Sequence, residues 1–184
     1  MTVLRRPDFD VGAEIAKCLE VAMDLTGLVP YLLFLHVMGA ILGFGPTFAY
    51  SIMGAMSGRE PQHANFSARQ IAAIGDKLVY PLAILQGVTG VLLILVAGMK
   101  VQNQPWLLAG IVLYIIALTY ALTVQRNALH HLIDLTSTPP PPGTPPGPPP
   151  PEIVATVKKI QRGGMALGVL IVVIVFLMVV KPGA

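Results

Sequence analysis

Charged side chains and cysteine are scarce in this sequence. Of its 184 residues, 11% are charged and one is a cysteine, Cys18. A single cysteine excludes an intramolecular disulfide and a cysteine-based metal cage. Soluble domains have about a quarter of their residues charged, so a chain that is 54% hydrophobic does not fit an ordinary soluble fold. The formal net charge of +3 is too small to indicate a nucleic-acid partner.

Several catalytic signatures are absent as well. The sequence has no Walker phosphate-binding loop, no HExxH zinc motif and no GxSxG nucleophile motif. No aspartate or glutamate lies within its long apolar runs, which disfavours a carboxylate proton relay. It shows no internal repeat of the kind that many carriers have. We therefore assign no catalytic residue and no metal site from these patterns.

Four segments contain no charged residue and are long enough to cross a bilayer. A span needs about 20 apolar residues, because a helix rises ~1.5 Å per residue across ~30 Å of hydrocarbon. Continuous apolar runs differ from the alternating pattern of a barrel strand, so these segments are predicted to be helices. The predicted fold is an all-α polytopic membrane protein, with a bundle of four transmembrane helices at 29–53, 78–97, 105–124 and 164–180.

These spans divide the chain into four parts. Residues 1–28 form an N-terminal arm with weak helical periodicity, which could be an interfacial helix, and residues 29–125 contain the first three spans. Residues 126–163 are predicted to be a loop that includes the proline-rich run 139–151. Each proline removes a donor and fixes φ, so this run should be an extended spacer of ~40 Å. A short basic amphipathic lead-in then precedes the fourth span, within 164–184.

The lysines and arginines near the spans are unequally distributed between the two sides. One side has three, namely Lys17, Lys100 and Lys181. The other side has seven, namely Arg59, Arg69, Lys77, Arg126, Lys158, Lys159 and Arg162. Cytoplasmic loops carry the excess of basic residues. We therefore predict that both termini face outward and that the proline-rich loop is cytoplasmic.

His36 is the one histidine within a predicted span. An ionisable group at membrane depth is by default a functional hypothesis, and a neutral imidazole could bind haem iron or another metal. The structural alternative is a hydrogen bond from His36 to a neighbouring helix. Gly39 and Gly43 follow at i+3 and i+7, on the same face, so another backbone can approach closely there.

Gln86 is the only amide within a span, and Gly87 and Gly90 lie on the same helix. Inside a bundle it would bond to a polar partner, a contact worth about 1 kcal/mol. The candidates are His36, Thr47, Thr89 and Thr119. The GxxxG pair Gly164 and Gly168 could mark a contact of the fourth helix. That helix is otherwise apolar all round, so we expect it to face lipid or a partner subunit.

A family resemblance is carried by four runs of residues, LHVMGAILGFGPTFAY, YPLAILQGVTGVLL, PWLLAGIVLYIIALTYALTVQRNAL and FLMVVKP. In this order they resemble the domain-of-unknown-function 2269 family of predicted bacterial integral membrane proteins. The resemblance covers about residues 29–184 and implies the membrane topology, since the family has no established activity. The proline-rich run departs from the usual pattern of this family.

A more distant resemblance is to the four-helix membrane protoporphyrinogen oxidases and the copper-resistance D proteins. They also have a histidine early in the first span, followed by small residues. In the oxidases that histidine and a lysine in the third span are implicated with haem. His36 matches the histidine, whereas the third span has Gly110 and no lysine. The resemblance therefore implies a haem site only in part.

Three functions are compatible with these observations. The leading hypothesis is a non-catalytic integral membrane subunit, anchor or assembly factor, whose partners are the lipid bilayer and other membrane protein subunits. The second is a haem-binding membrane redox protein that uses His36. The third is a small transporter or channel, with a wetted path lined by His36, Gln86 and the threonines.

Overall fold

The computed structural model describes residues 25–137 and 147–183. The predicted N-terminal arm and most of the proline-rich spacer lie outside the described residues. Within these ranges the chain is helical and contains no strand. Four of its helical rods are long and apolar enough to cross a membrane. The prediction of an all-α polytopic membrane bundle is confirmed.

The four rods contain six α-helices, because π-helical turns interrupt the second and third rods. The first rod is α1, Val29–Arg59. The second rod comprises α2, Ala64–Ile74, the π turn Gly75–Val79 and α3, Tyr80–Val96. The third rod comprises α4, Pro105–Tyr120, the π turn Ala121–Gln125 and α5, Arg126–Leu135. The fourth rod is α6, Pro151–Val180.

Proline and left-handed residues mark the helix ends. Prolines lie in the first turns of α1, α4 and α6, where a missing N–H leaves no helical bond unmade. Pro81 of α3 lies instead within the continuous second rod, just after the π turn Gly75–Val79. Gly98 turns the chain after α3 with φ +62°, a conformation that glycine adopts without steric cost. Lys181 caps α6 with φ 50°, and its ammonium group lies over the Trp106 ring.

The rods extend beyond the predicted spans, mainly at one end of the bundle. The 31 residues of α1 and the 30 residues of α6 each measure about 45 Å at ~1.5 Å per residue, against a hydrocarbon core of ~30 Å. The segment 126–163, interpreted from the sequence as a loop, is helical over Arg126–Leu135 and from Pro151 onward. We call α2, α5 and residues 151–163 of α6 the helical layer.

The helical layer has a small hydrophobic core of its own. Ala68 and Ala72 of α2 are buried against Leu129 of α5. Partly buried side chains pack around these three, namely Ile71, Leu132, Ile133 and Ile160. Both α2 and α5 are amphipathic, so their apolar faces are covered only when they pack together. This pairing explains why the polar segments beside the spans fold as helices.

Within the spans the rods form two closely packed pairs. In the first pair, α1 meets α3 where the buried Gly43 lies against Leu82. In the second pair, α4 meets α6 where the buried Gly110 lies under the Met178 side chain. The Tyr114 hydroxyl of α4 donates a hydrogen bond to the backbone carbonyl of Ala83 in α3, and this bond connects the two pairs. Small residues thus bring backbones together within each pair.

Gly43→Leu is expected to destabilise the protein by about 1–3 kcal/mol, because an added Cβ would lie 3.0 Å from the Leu82 Cβ. The measurement is thermal unfolding of the full-length protein in mild detergent. Gly54→Leu on the same helix is the control, since nothing lies within 4 Å of an added Cβ there. Equal stability of the two variants would contradict the proposed contact.

Candidate functional site

A polar contact between α1 and α3 surrounds His36. The His36 Nδ1 atom lies 2.9 Å from the Thr89 hydroxyl. That hydroxyl in turn donates a hydrogen bond to the backbone carbonyl oxygen of Gln86, at 3.1 Å. Thr89 is buried and His36 half-buried. The chain of contacts therefore crosses from one helix of the first pair to the other.

The Thr89 hydroxyl lies within hydrogen-bond distance of both His36 Nδ1 and the backbone carbonyl oxygen of Gln86. Whether Nδ1 donates to this hydroxyl or accepts from it depends on the tautomer of the His36 ring. The hydrogen bond to a neighbouring helix, one of the two sequence interpretations, is the one present in the structure.

Gln86 is 8% exposed and lies in the same interface. Its Oε1 atom is buried without a hydrogen-bond partner and packs against Gly39. A Cβ added to Gly39 would lie 2.9 Å from this oxygen. The side-chain oxygen of Gln86 therefore lacks the polar partner that we expected for it. Thr89 bonds to the backbone carbonyl of Gln86, and His36 bonds to Thr89. Thr47 donates to Phe44 of its own helix, and the exposed Thr119 accepts from Thr123 through its carbonyl.

The structure places four of the six predicted packing glycines in helix contacts. Gly39 and Gly43 meet α3, as described above. Gly87 lies under the Tyr114 ring and Gly90 under the His36 ring. Gly164 has only Gln125 at ordinary distance, and nothing lies near Gly168.

Two glycines that the sequence interpretation omitted take that role on α4 and α6. Gly110 lies under Met178, and Gly163 lies against Gln125 and Tyr120. Gly163 is adjacent to the predicted Gly164. Adjacent residues point about 100° apart on a helix, so Gly163 faces a different direction from Gly164. A helix contact at the pair Gly164 and Gly168 stays a prediction.

His36 packs against α3. It lies on Gly90 and bonds to Thr89, and it lines neither of two clefts on the bundle, at Ile115–Val124 of the third rod and between Asp76 and Arg126. No group of three or more histidine, cysteine, aspartate or glutamate residues able to hold a metal occurs in the described ranges. Haem can be held by a single axial histidine, so the haem hypothesis for His36 stays a prediction.

The same two clefts lie away from the His36, Gln86 and Thr89 cluster. In that cluster α1 and α3 approach so closely that Gln86 touches Gly39. A transport path lined by His36 and Gln86 would have to separate these two helices. The geometry therefore gives the transporter hypothesis no support.

A second polar cluster lies where the spans meet the helical layer. Arg126 Nε donates to Asp76 Oδ1 at 2.7 Å, and His130 Nε2 lies 3.3 Å from Asp76 Oδ2. Arg126 lies beyond the apolar part of the third rod, and the hydrogen bond from its guanidinium to Asp76 raises the pKa of Arg126 above its ordinary value. The sequence interpretation missed this cluster, because Asp76 and Arg126 are 50 positions apart.

Further contacts hold the helical layer together. His131 Nε2 lies 3.3 Å from Glu152 and links α5 to the first turn of α6. The Asn65 amide of α2 donates to the Ile133 carbonyl at 3.0 Å. The Gln125 amide donates to the Ile160 carbonyl, also at 3.0 Å. Each of these bonds joins two different rods.

The rods and their internal polar contacts define a polytopic α-helical membrane protein. The chain matches the sequence model of the family described as predicted integral membrane protein (DUF2269) over residues 30–182. This match covers most of the chain and all four spans, so the protein belongs to that family. No match was found among curated proteins or among solved structures.

Thr89→Val is expected to lower stability by about 1 kcal/mol, because it removes the hydroxyl that bonds to His36. A double-mutant cycle of Thr89→Val with His36→Ala, followed by thermal unfolding in detergent, measures the coupling. Thr47→Val is the matched control, since its hydroxyl bonds within its own helix. Coupling of His36 to Thr47 as strong as its coupling to Thr89 would contradict the contact.

The full-length protein purified from its native membrane is expected to show no Soret absorption band, because His36 packs on Gly90 and bonds to Thr89 between two helices. Absorption spectroscopy with an iron assay provides the measurement. The His36→Ala variant should give the same spectrum. A Soret band that this variant removes would show that His36 binds haem.

Proposed function

We propose that this protein is a non-catalytic integral membrane subunit or anchor of a larger membrane complex, and that the helical layer is its docking platform. The observation that supports the proposal is the separate hydrophobic core of Ala68, Ala72 and Leu129. This core gives the layer a fixed shape beyond the apolar spans. A fixed, polar surface next to a membrane suits a protein partner, because little order is lost on binding.

The outer surface of the helical layer is strongly charged. Exposed basic side chains are found on α2 at Arg69 and on α6 at Lys158, Lys159 and Arg162. Exposed acidic side chains, at Asp134 and Glu152, are fewer. Charged surfaces of one predominant sign select complementary partners and speed their encounter. An acidic surface on another membrane protein is the partner that this pattern favours.

Few side chains within the spans are of a kind that takes part in catalysis. Three of their polar residues, His36, Gln86 and Thr89, lie together between α1 and α3. The membrane part of α6 presents exposed apolar side chains such as Val169, Val172 and Phe176. Such a surface is stable against lipid or against another apolar helix. These features support a structural role within the membrane.

The orientation that we propose places the helical layer in the cytoplasm and both termini outside. All seven basic residues of the richer side belong to the layer or adjoin it. The positive-inside rule supports this orientation, because lysine and arginine are retained on the cytoplasmic side. The partner would then be met on the cytoplasmic face of the membrane.

Site-specific photo-crosslinking in native membranes tests the docking role. A photoreactive residue at Gln70, exposed on α2, should give one discrete protein adduct, whereas the same residue at Val172, exposed on α6, should not. Charge reversal by Lys158→Glu with Lys159→Glu should reduce the Gln70 adduct roughly ten-fold, because like charges repel at an interface.

The control for charge reversal is Lys100→Glu, at the opposite end of the bundle, which should leave the Gln70 adduct unchanged. A single species of monomer size in mild detergent, together with no discrete adduct at Gln70, would overturn the proposal. Equal adducts at Gln70 and Val172 would also overturn it, because docking would then not be confined to the helical layer.

A further inference from the structure

A cleft of about 320 Å³ lies between the second and third rods, where the spans meet the helical layer. Its lining consists of one carboxylate, one guanidinium and four uncharged side chains, namely Asp76, Arg126, Tyr80, Pro81, Ile84 and Leu122. Asp76 and Leu122 belong to the two π turns of these rods, and turns of this kind are frequent at functional sites. The ionic groups and the apolar groups of the lining therefore come from both rods.

The ionic groups of the cleft lie at the level of lipid headgroups. Asp76 precedes the predicted second span, which begins at residue 78, and Arg126 follows the predicted third span, which ends at residue 124. Ile84 is exposed and lies about 12 Å further along the second rod, at ~1.5 Å per residue. A phospholipid also has its polar headgroup at the membrane surface and its acyl chains in the hydrocarbon core. The cleft and a phospholipid thus change from ionic to apolar in the same direction.

The charges at the ionic end of the cleft are balanced. Arg126 Nε donates to Asp76 Oδ1 at 2.7 Å, so one positive and one negative group form a pair. His130 Nε2 lies 3.3 Å from Asp76 Oδ2, and a neutral imidazole adds no charge. An anion attracted by the guanidinium is repelled by the carboxylate beside it. This end therefore favours a ligand that carries one charge of each sign.

Both members of the pair have hydrogen-bonding capacity for such a ligand. Within the described residues Arg126 uses Nε alone, so its two terminal nitrogens keep N–H donors. A carboxylate has about four acceptor positions, and the contacts of Asp76 with Arg126 and His130 occupy two of them. The Arg126 side chain is 46% exposed and the Asp76 side chain 31%. An oxygen anion and an N–H donor on one ligand can therefore reach both residues.

We propose that this cleft binds one phospholipid with a primary-amine headgroup, of the phosphatidylethanolamine type. Its phosphate accepts from the terminal nitrogens of Arg126, its ammonium group donates to Asp76, and an acyl chain lies along Ile84 and Leu122. Phosphatidylcholine has the same net charge, but its quaternary ammonium group has no N–H to donate. Phosphatidylglycerol has no ammonium group and brings an unbalanced negative charge next to Asp76. This lipid site is independent of the protein partner proposed for the helical layer.

Native mass spectrometry of the full-length protein in mild detergent tests this proposal. The probes are phosphatidylethanolamine, phosphatidylcholine and phosphatidylglycerol with the same acyl chains, at pH 8, where an unperturbed imidazole is neutral. We expect one retained phosphatidylethanolamine, preferred over each of the other lipids about three- to five-fold, as one exposed ionic contact contributes. Equal retention of phosphatidylethanolamine and phosphatidylcholine, or a preference for phosphatidylglycerol, would overturn the proposal.

Two single substitutions should change the lipid preference in opposite directions. Asp76→Asn removes the acceptor of the ammonium group and leaves a lone guanidinium, so phosphatidylglycerol should become the preferred lipid. Arg126→Gln leaves a lone carboxylate, so phosphatidylglycerol should be retained least. An unchanged preference for phosphatidylethanolamine in Asp76→Asn, or the same response in both variants, would overturn the proposal.

The control removes one charge of each sign outside the lining of the cleft. Glu60 and Lys77 are both exposed, and Glu60→Gln with Lys77→Gln should keep the preference for phosphatidylethanolamine. Loss of the preference in this pair would overturn the proposal, because the selectivity would then come from the general charge of the surface.

A further variant tests the apolar end without changing a charge. Ile84→Trp should fill the groove and reduce the retention of phosphatidylethanolamine, whereas Val172→Trp, at an exposed position of α6, should not. Retention unchanged by Ile84→Trp would overturn the proposal, because no acyl chain would then lie there. Displacement of the lipid by excess phosphoethanolamine would also overturn it, because the cleft would then bind the headgroup alone.

Discussion

The close approach of α1 and α3 is the packing constraint on which the rest of the bundle depends. In lipid no hydrophobic force drives helices together, so association relies on close packing and hydrogen bonds. Gly43 allows contact with Leu82, and Gly39 allows contact with Gln86. With the backbones this close, the Thr89 hydroxyl reaches the His36 ring at 2.9 Å. Thr89 and Gln86 are thereby buried between these two helices.

In the second pair, α4 and α6, glycines again allow close packing, although at different positions. The contact between the two pairs depends on a tyrosine instead. Gly110 and Gly163 bring α4 and α6 into contact with their neighbours. Between α3 and α4, by contrast, Tyr114 fills the space and bonds to Ala83. Further along the same two rods a cleft lies beside Arg126 and Asp76. The helical layer closes the bundle beyond it through its own apolar core.

His36 shows how far residue chemistry predicts a role. Its position within a span indicated either a cofactor ligand or a helix contact. The hydrogen bond to Thr89 and the packing on Gly90 establish the contact. The position of His36 within a span does not by itself distinguish a cofactor ligand from a helix contact, because both roles use the same imidazole.

Sequence by itself determined the number of spans and the fold class, because a bilayer requires long, uncharged helical runs. It also indicated glycines such as Gly39, Gly43 and Gly90 as contact points. The length of the rods, the core of Ala68, Ala72 and Leu129, and the pairing of Asp76 with Arg126 were decided by tertiary structure. These features join residues distant in the chain, and only the packing of one rod on another brings them together.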